Sequence, residues 1–367
     1  MKHILILGGT GAMGTHLVSL LSKDPSNHIF VTSRNKHNNH DNISFIVGNA
    51  HDEDFLLPLL EKCHWTSIID FMVYSTKDFT RKVNIFLKST DQYVFLSSSR
   101  VYAQSDIPIK ECSKRLLDVC NDTEYLATDE YAIAKARQEN ILMKSGKSNW
   151  TIIRPYITFS EKRLQLGVLE MESWLYRALQ GRTIVIPKNI LEKRTTLTYG
   201  YDVAKGIVAL IGNSNAYNQA YHITANNNFT WKEILDVYVN IIENYTGKKV
   251  KIHFQDNNPY VPTDMHYYQL IYDRCFNRIF DNSKIGDFIN TNCFMPTLDG
   301  LKLCLESFLK EPSFRNINWR EEAIKDNLTK EFPRMKEFND VKSALKYFFW
   351  RFIYFLKFHV INNSFNS

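Results

Sequence analysis

Tyr131-Ala132-Ile133-Ala134-Lys135 sets a phenol and an ammonium four residues apart. On a helix that spacing puts both on one face, so the two can point into one pocket. A free phenol keeps its proton well above neutrality. A neighbouring cation favours the phenolate and brings the group into range for proton exchange with a substrate hydroxyl. Upstream, the apolar run Tyr93-Val94-Phe95-Leu96 ends in Ser97-Ser98-Ser99-Arg100-Val101-Tyr102. A serine at the C-terminal end of a strand can hydrogen-bond the oxygen whose charge changes during reaction. Alone, a Tyr-x-x-x-Lys spacing arises by chance and a serine run makes a turn. Together they would set a proton-exchanging phenol and a hydrogen-bonding hydroxyl about one substrate oxygen.

The start of the chain holds a second pattern. Ile4-Leu5-Ile6-Leu7 reads as a buried strand. It runs into Gly8-Gly9-Thr10-Gly11-Ala12-Met13-Gly14, and His16 to Lys23 follows with helical spacing and Leu17, Leu20 and Leu21 on its apolar face. The glycines permit the turn, let backbone N–H groups approach a pyrophosphate and let helix and strand pack closely, while the helix N-terminus favours negative charge. Strand, glycine turn and helix in that order are the setting the motif requires. A dinucleotide is therefore expected against Gly8, Thr10, Gly11, Ala12, Met13 and Gly14. A second strand, His28 to Thr32, ends at Ser33-Arg34, about 20 residues beyond Gly14, where NAD-specific proteins hold an acid against the ribose hydroxyls. Neither Asp nor Glu stands there. A guanidinium can pair with a 2′-phosphate and Ser33 can add a hydrogen bond, which favours NADP. NAD stays open, because an arginine stacked on adenine would serve it equally.

Strand and helix patterns continue to alternate. Ile43 to Val47, Ser67 to Val73, Tyr93 to Ser97 and Trp150 to Ile153, closing at Arg154-Pro155, read as strands; about Asp54 to Lys62 and Tyr131 to Ser145 read as helices. This is the pattern of an α/β fold, a Rossmann-type doubly wound parallel sheet with a smaller α/β C-terminal substrate lobe. The sheet domain is expected over residues 1–160 plus about 194–222, and the lobe over about 161–193 and 223–335. An aromatic-rich segment at 340–367 completes the chain.

Composition narrows the class. Of 367 residues, 44% are hydrophobic and 23% charged, ordinary for a water-soluble globular protein. The net charge of +6 is spread along the chain, without the concentrated patch nucleic-acid binding calls for, so no nucleic-acid partner is expected. Six cysteines form no CxxC pair, no histidine stands at metal-ligand spacing, and no metal site is expected. Met1 leads almost at once into a strand, which implies a cytoplasmic protein with reduced thiols.

These elements together resemble the extended short-chain dehydrogenase/reductase family, and within it the NAD-dependent epimerase/dehydratase branch, over about residues 1–245. The resemblance rests on Gly8-x-x-Gly11-x-x-Gly14, Gly48-Asn49, Asp70-Phe71-Met72, the serine strand, Tyr131-x-x-x-Lys135, Arg154-Pro155, and Arg194 through Tyr201-Asp202-Val203-Ala204. It implies a nucleotide-sugar substrate and a homodimer. It makes Tyr131 the general acid/base and Lys135 the residue that binds the nicotinamide ribose and lowers the tyrosine pKa. The family's Ser/Thr, four residues before the Tyr of Val101-Tyr102, falls on Ser98, with Ser99 as the fallback. Asn49 and Ala50 would flank the adenine, although the family often has Asp at the first of these. Met72, Val73, Tyr74 and Ser97 would border the cofactor, Pro155 and Tyr156 would lie near the nicotinamide, and Arg163 and Arg194 would grip a substrate diphosphate. Sugar 4,6-dehydratases of the family carry an Asp-Glu pair directly after the Ser/Thr. Here Ser99 and Arg100 stand there, which disfavours dehydration and leaves epimerisation or ketone reduction. A non-catalytic or RNA-binding protein on the same scaffold and a reductase of a non-sugar ketone are the competing classes.

Two features lie outside that core. Thr230 and Glu233 form a capping-box pattern before a helix, and Phe280 to Ile285 reads as a turn in the lobe. Ala344 to Ile361 is crowded with Tyr347, Phe348, Phe349, Trp350, Phe352, Tyr354, Phe355 and Phe358, interrupted by Lys346, Arg351, Lys357 and His359. It is too short and too charged to span a bilayer. Two destinations remain: packing against the body or a second subunit, or lying at the inner face of a membrane.

Overall fold

The computed structural model describes residues 1–256 and 265–364. Seven strands of these residues form one sheet: β1 (Lys2–Leu7), β2 (Asn27–Ser33), β3 (Ile43–Val47), β4 (Trp65–Asp70), β5 (Thr90–Leu96), β6 (Trp150–Pro155) and β7 (Gln219–Ile223). Their order is β7-β6-β5-β4-β1-β2-β3, every pairing parallel. The order reverses between β1 and β4, and the crevice beyond the strand ends at such a reversal is where open α/β sheets take ligands.

Both faces of the sheet are covered, which is why its strands are apolar throughout rather than alternating. Ile4 and Ile6 of β1 pack with α1 (Gly14–Leu21), as do Ile29, Val31, Ile69 and Val94. Leu5 and Leu7 point the other way, joining α2 (Glu53–Glu61) and α3 (Thr76–Lys88) through Leu56, Leu59, Phe79, Val83 and Phe86. The strand period of two sorts the residues between the two layers. The α3 helix is absent from the sequence reading. Its start is marked by Ser75, whose hydroxyl accepts from the Asp78 N–H. β4 also stops earlier than expected, at Asp70. The Asp70 carboxylate accepts from the Met72 N–H at 2.9 Å and turns the chain, so Val73 lies 58% exposed.

Helix α4 (Tyr131–Met143) packs beside α3, and α5 (Met171–Leu179) begins the next region. After α6 (Gly200–Leu210), which packs on α1, the chain re-enters the sheet as β7. A separate core gathers Trp174 of α5, Leu235 and Tyr238 of α7 (Trp231–Thr246), and Leu301 and Leu305 of α8 (Thr297–Lys310). The capping box on α7 is present, and within the stretch expected as a turn, Ser283–Gly286 forms one helical turn.

The chain closes with α9 (Trp319–Thr329) and α10 (Val341–Ser364) packed together. Tyr347 is buried, its hydroxyl donating to Asp326 at 2.9 Å, and the Arg320 guanidinium lies 4.3 Å from the Trp350 ring centroid. The first turns of the aromatic segment therefore pack on the body. The side chains of Tyr354, Phe355, Lys357, Phe358 and His359 lie outside the described residues. Among the described residues no helix is long and apolar enough to cross a membrane.

Candidate active site

The turn after β1 is shaped by what its glycines leave out. Gly8 has φ +71°, which favours glycine, and a Cβ at Gly14 would meet the Gly9 carbonyl oxygen at 2.5 Å. A Cβ at Gly11 would meet nothing within 4 Å. That position faces an open cleft of about 530 Å³ between the glycine turn and the Ser160–Arg163 loop. No side chain caps α1, and of its first N–H groups that of Thr15 is taken by the Gly11 carbonyl at 3.1 Å. An open cradle lined by Thr10, Gly11, Ala12 and Met13 at an uncapped helix start fits a pyrophosphate.

Beyond the turn, β2 delivers Arg34 exposed to solvent. Ser33 is buried, its hydroxyl accepting from the Asn35 N–H and bonded to His37. Ala50 is buried and Asn49 exposed at the end of β3. Arg34 is among the charges acting on the neighbouring His51, whose pKa is held down chiefly by burial. Arg34, Asn49 and Ala50 thus gather where the paired strands β2 and β3 end. Met72 lies against the glycine turn, its sulfur 3.0 Å from where a Gly8 Cβ would stand. Tyr74 turns inward and is buried.

The register of the central strands brings the remaining residues level. Leu7 pairs with Asp70, Asp70 with Phe95 and Leu96 with Ile153, so the glycine turn, the Met72 turn, the serines and Pro155 share one edge. Two of the three serines are occupied there: Ser97 donates to Glu139 at 2.6 Å and Ser99 to the Arg154 carbonyl at 2.7 Å. The Ser98 hydroxyl, which accepts from the Arg100 N–H at 3.2 Å, lies beside the Tyr131 phenol and helps to lower its pKa. Tyr131 opens α4, and burial raises its pKa. Three groups oppose burial: the Arg100 guanidinium, the Arg163 guanidinium and the Ser98 hydroxyl.

Arg100 is the addition that tertiary structure makes to this set. Its guanidinium carbon sits 5.4 Å from the Tyr131 ring centroid and it pairs with Glu130 at 2.6 Å. Glu130 also caps α4 through the Ala132 N–H. The Lys135 ammonium lies 6.0 Å from the same ring centroid, 4.4 Å from that of Phe95 and 3.4 Å from the Met72 carbonyl it donates to. Sequence reasoning named Lys135 for the lowering of the phenol pKa and did not foresee Arg100 and Arg163, which act on it in the fold. Lys135 is itself pushed down to about 8 by burial, against Asp70 and Glu139, which raise it. The adjacency of Arg100 to Ser98 was the only sequence signal for its place.

Arg163 is half-buried and gripped by Glu170 through two bonds of 3.2 and 2.7 Å. Arg194 is exposed and bonded to Asn228. Tyr156 is buried with its hydroxyl donating to Asp273 at 3.3 Å, and Pro155 closes β6. Among the described residues no group of His, Cys, Asp and Glu is placed to hold a metal.

Residues 4–224 match the NAD dependent epimerase/dehydratase family. None of the curated proteins matches the chain. Among solved structures, a UDP-glucuronic acid 4-epimerase from Bacillus cereus, in complex with UDP-glucuronic acid and NAD, superposes with a TM-score of 0.64 at 17% identity, covering 85% of this chain and 100% of that one. The Bordetella bronchiseptica enzyme WbmH in complex with NAD+ gives 0.64 at 16% identity, with coverage of 85% and 100%. A UDP-N-acetylglucosamine 4-epimerase from Methanobrevibacter ruminantium M1, in complex with UDP-N-acetylmuramic acid, gives 0.62 at 20% identity, with coverage of 84% and 99%.

Proposed function

The chain belongs to the NAD-dependent epimerase/dehydratase family, of the extended short-chain dehydrogenase type, and from that premise we propose that it transfers a hydride to or from a carbinol carbon of a nucleotide sugar, ending in epimerisation or in ketone reduction. The observation that carries this reading is that Ser98, just beyond the end of β5, lies beside Tyr131, with Lys135 one helical turn behind. Tyr131 takes the proton of the reacting hydroxyl and returns it in the reverse direction. Ser98 holds the same oxygen. Arg100 and Arg163 favour the phenolate, opposing the effect of burial. A bound nicotinamide dinucleotide would supply the hydride-carrying ring. Gly8 to Gly14 would hold its pyrophosphate and Lys135 its nicotinamide ribose.

Dehydration is disfavoured by the two residues after Ser98. The Ser99 hydroxyl is tied to the Arg154 carbonyl, and Arg100, paired with Glu130, is a fixed cation with no proton to exchange near neutrality. Arg34, exposed at the end of β2 where an acid would serve NAD, supports NADP as the preferred cofactor. Mass spectrometry of nucleotides released from the purified protein tests the whole. Tightly held NAD marks an epimerase, and exchangeable NADP(H) a reductase whose Arg34→Ala variant loses NADP(H) affinity more than NAD(H). A protein that neither carries nor binds any nicotinamide nucleotide sinks the proposal.

A second reading concerns where the enzyme works. Leu345, Phe349 and Phe352 on α10 are 66%, 59% and 63% exposed, on the side away from Tyr347, and Phe348, 44% exposed, borders them with one edge on the Tyr347 ring at 5.3 Å between centroids. No Asp or Glu occurs from Val341 to Ser367, while Lys342, Lys346, Arg351 and Lys357 do. A basic helix with an outward aromatic stripe suits an anionic bilayer surface, here the inner face of the cytoplasmic membrane. Sedimentation with phosphatidylserine-containing and pure phosphatidylcholine vesicles tests it. Binding to the first alone, lost in Phe348→Ser/Phe349→Ser/Phe352→Ser, supports the reading. Absence of binding, or a dimer by light scattering that the triple variant dissolves, overturns it.

A further inference from the structure

Beneath the catalytic pair lies a carboxylate that the proposed reaction does not use. Asp70 ends β4 with no solvent exposure. Its oxygens accept from the Tyr93 hydroxyl at 2.7 Å, the Met72 N–H at 2.9 Å and the Tyr74 hydroxyl at 3.5 Å. Among the described residues no Lys, Arg or His reaches it within 4 Å. A buried carboxylate without a counter-charge would normally take up a proton.

Lys135 is in the complementary position. It is 2% exposed, and one carbonyl, that of Met72, accepts from it. The groups around it are Tyr131 and Glu139 on its own helix, Asp70 on β4, the Met72 turn, and the Phe95 ring on β5; its charge is acted on by Asp70 and Glu139. Glu139, however, is already answered. Arg154 meets it at 2.7 and 2.8 Å, Arg115 at 3.1 Å and the Ser97 hydroxyl at 2.6 Å. Asp70 is the carboxylate left over, and Lys135 the cation left over. In a dry interior, two opposite charges that do not touch still act strongly on each other.

We propose that Asp70 is a positioning residue for Lys135. Its charge keeps the ammonium protonated, and its bond to the Met72 N–H fixes the turn whose carbonyl orients that ammonium toward the cofactor's ribose. The inference rests on the cofactor-binding reading above and extends it to a residue outside the cleft.

The signs follow from the surroundings. Burial holds the Lys135 pKa near 8 even with Asp70 in place. Cofactor affinity should therefore fall as pH rises through about 8, when the ammonium loses its proton. Burial likewise lifts Asp70 to about 6, against the Tyr93, Met72 and Lys135 contributions, so Asp70 is charged in the range where Lys135 titrates.

The experiment measures binding of NADH and NADPH by fluorescence from pH 6 to 10, for the wild type, Asp70→Asn, Lys135→Met and the double variant. Asn can keep its one oxygen for the Met72 N–H and turn its amide NH2 to the Tyr93 hydroxyl, which can accept as well as donate, so that the charge is what is removed. The expected result is a midpoint lowered by about one pH unit or more in Asp70→Asn, no midpoint in Lys135→Met, and no further change when Asp70→Asn is added to it. An unmoved midpoint, or an Asp70→Asn effect that persists without Lys135, overturns the proposal. If Asp70→Asn fails to fold, Lys135→Met decides alone. With its counter-charge gone, Asp70 should make that variant lose stability between pH 6 and 8 more steeply than the wild type, and equal slopes overturn the proposal. A protein that binds neither nucleotide at any pH refutes the cofactor reading itself, a separate outcome.

Discussion

Two buried clusters of charge stand in contrast. In the site, Lys135 and Asp70 face each other without contact, and both are displaced from their ordinary protonation, to about 8 and about 6. In the C-terminal region, Arg177 and Arg182 meet the acids of α9 and the loop after it. Arg177 pairs with Glu322 at 2.9 Å and Asp326 at 2.8 Å; Arg182 pairs with the same two acids at 3.1 and 2.9 Å and with Glu337 at 2.9 Å. Burial would lower the Arg182 pKa, but these acids outweigh it and raise it. Both clusters exclude water; they differ in whether each charge has its partner at hydrogen-bond distance. Complete pairing makes a clamp that fixes α5 and its following loop to α9. Incomplete pairing leaves groups near their titration points, the condition proton-handling sites require.

The contrast breaks in order of size. Tyr131→Phe removes the proton-exchanging group and should lower kcat by about 10²–10⁴-fold, with cofactor affinity unchanged by fluorescence titration. Equal loss of affinity would make Tyr131 a binding residue. Arg177→Met should destabilise the protein by about 3–5 kcal/mol in denaturant unfolding, because it strands buried carboxylates. The folded fraction should keep the wild-type pH profile; a shifted profile would show the clusters to be coupled. A subtler test uses Glu321 of α9. Burial would raise its pKa, but His266, Lys325 and Ser173 hold it down at about 2. A carboxylate with a depressed folded pKa stabilises above its unfolded value, about 4.3, and that share is lost as pH falls toward 2. Glu321→Gln should therefore flatten the acid limb of the stability curve between these values while leaving the site's alkaline limb alone. Smallest is Thr230→Ala at the α7 cap, about 1 kcal/mol by thermal or denaturant unfolding, which touches neither cluster.

Legibility in the sequence followed the distance over which each feature is decided. The glycine turn, the Tyr131–Lys135 pair and the Thr230–Glu233 box are set within a few residues, and each appears in the structure where its spacing put it. α3 was missed although Ser75 and Asp78 marked its start, because its apolar positions were not read as a period. Only the family resemblance singles out Ser98, with Ser99 as fallback, in the sequence; in the fold Glu139 and the Arg154 carbonyl, far along the chain, take Ser97 and Ser99. The aromatic tail left two destinations open in the sequence, the body or a second subunit on one side and a membrane surface on the other, and α9 gives Tyr347 its partner.

The sequence by itself determined that a strand, a glycine turn and a helix open the chain and that a phenol and an ammonium share a helical face, since backbone sterics and helical periodicity act locally. Only the tertiary structure decided which charges go unanswered. Arg177 and Glu322 stand 145 residues apart, and Asp70 and Lys135 lie on different layers of the sheet domain. Whether a carboxylate is a clamp or a tuning group depends on what reaches it once water is gone, and no spacing along the chain encodes that.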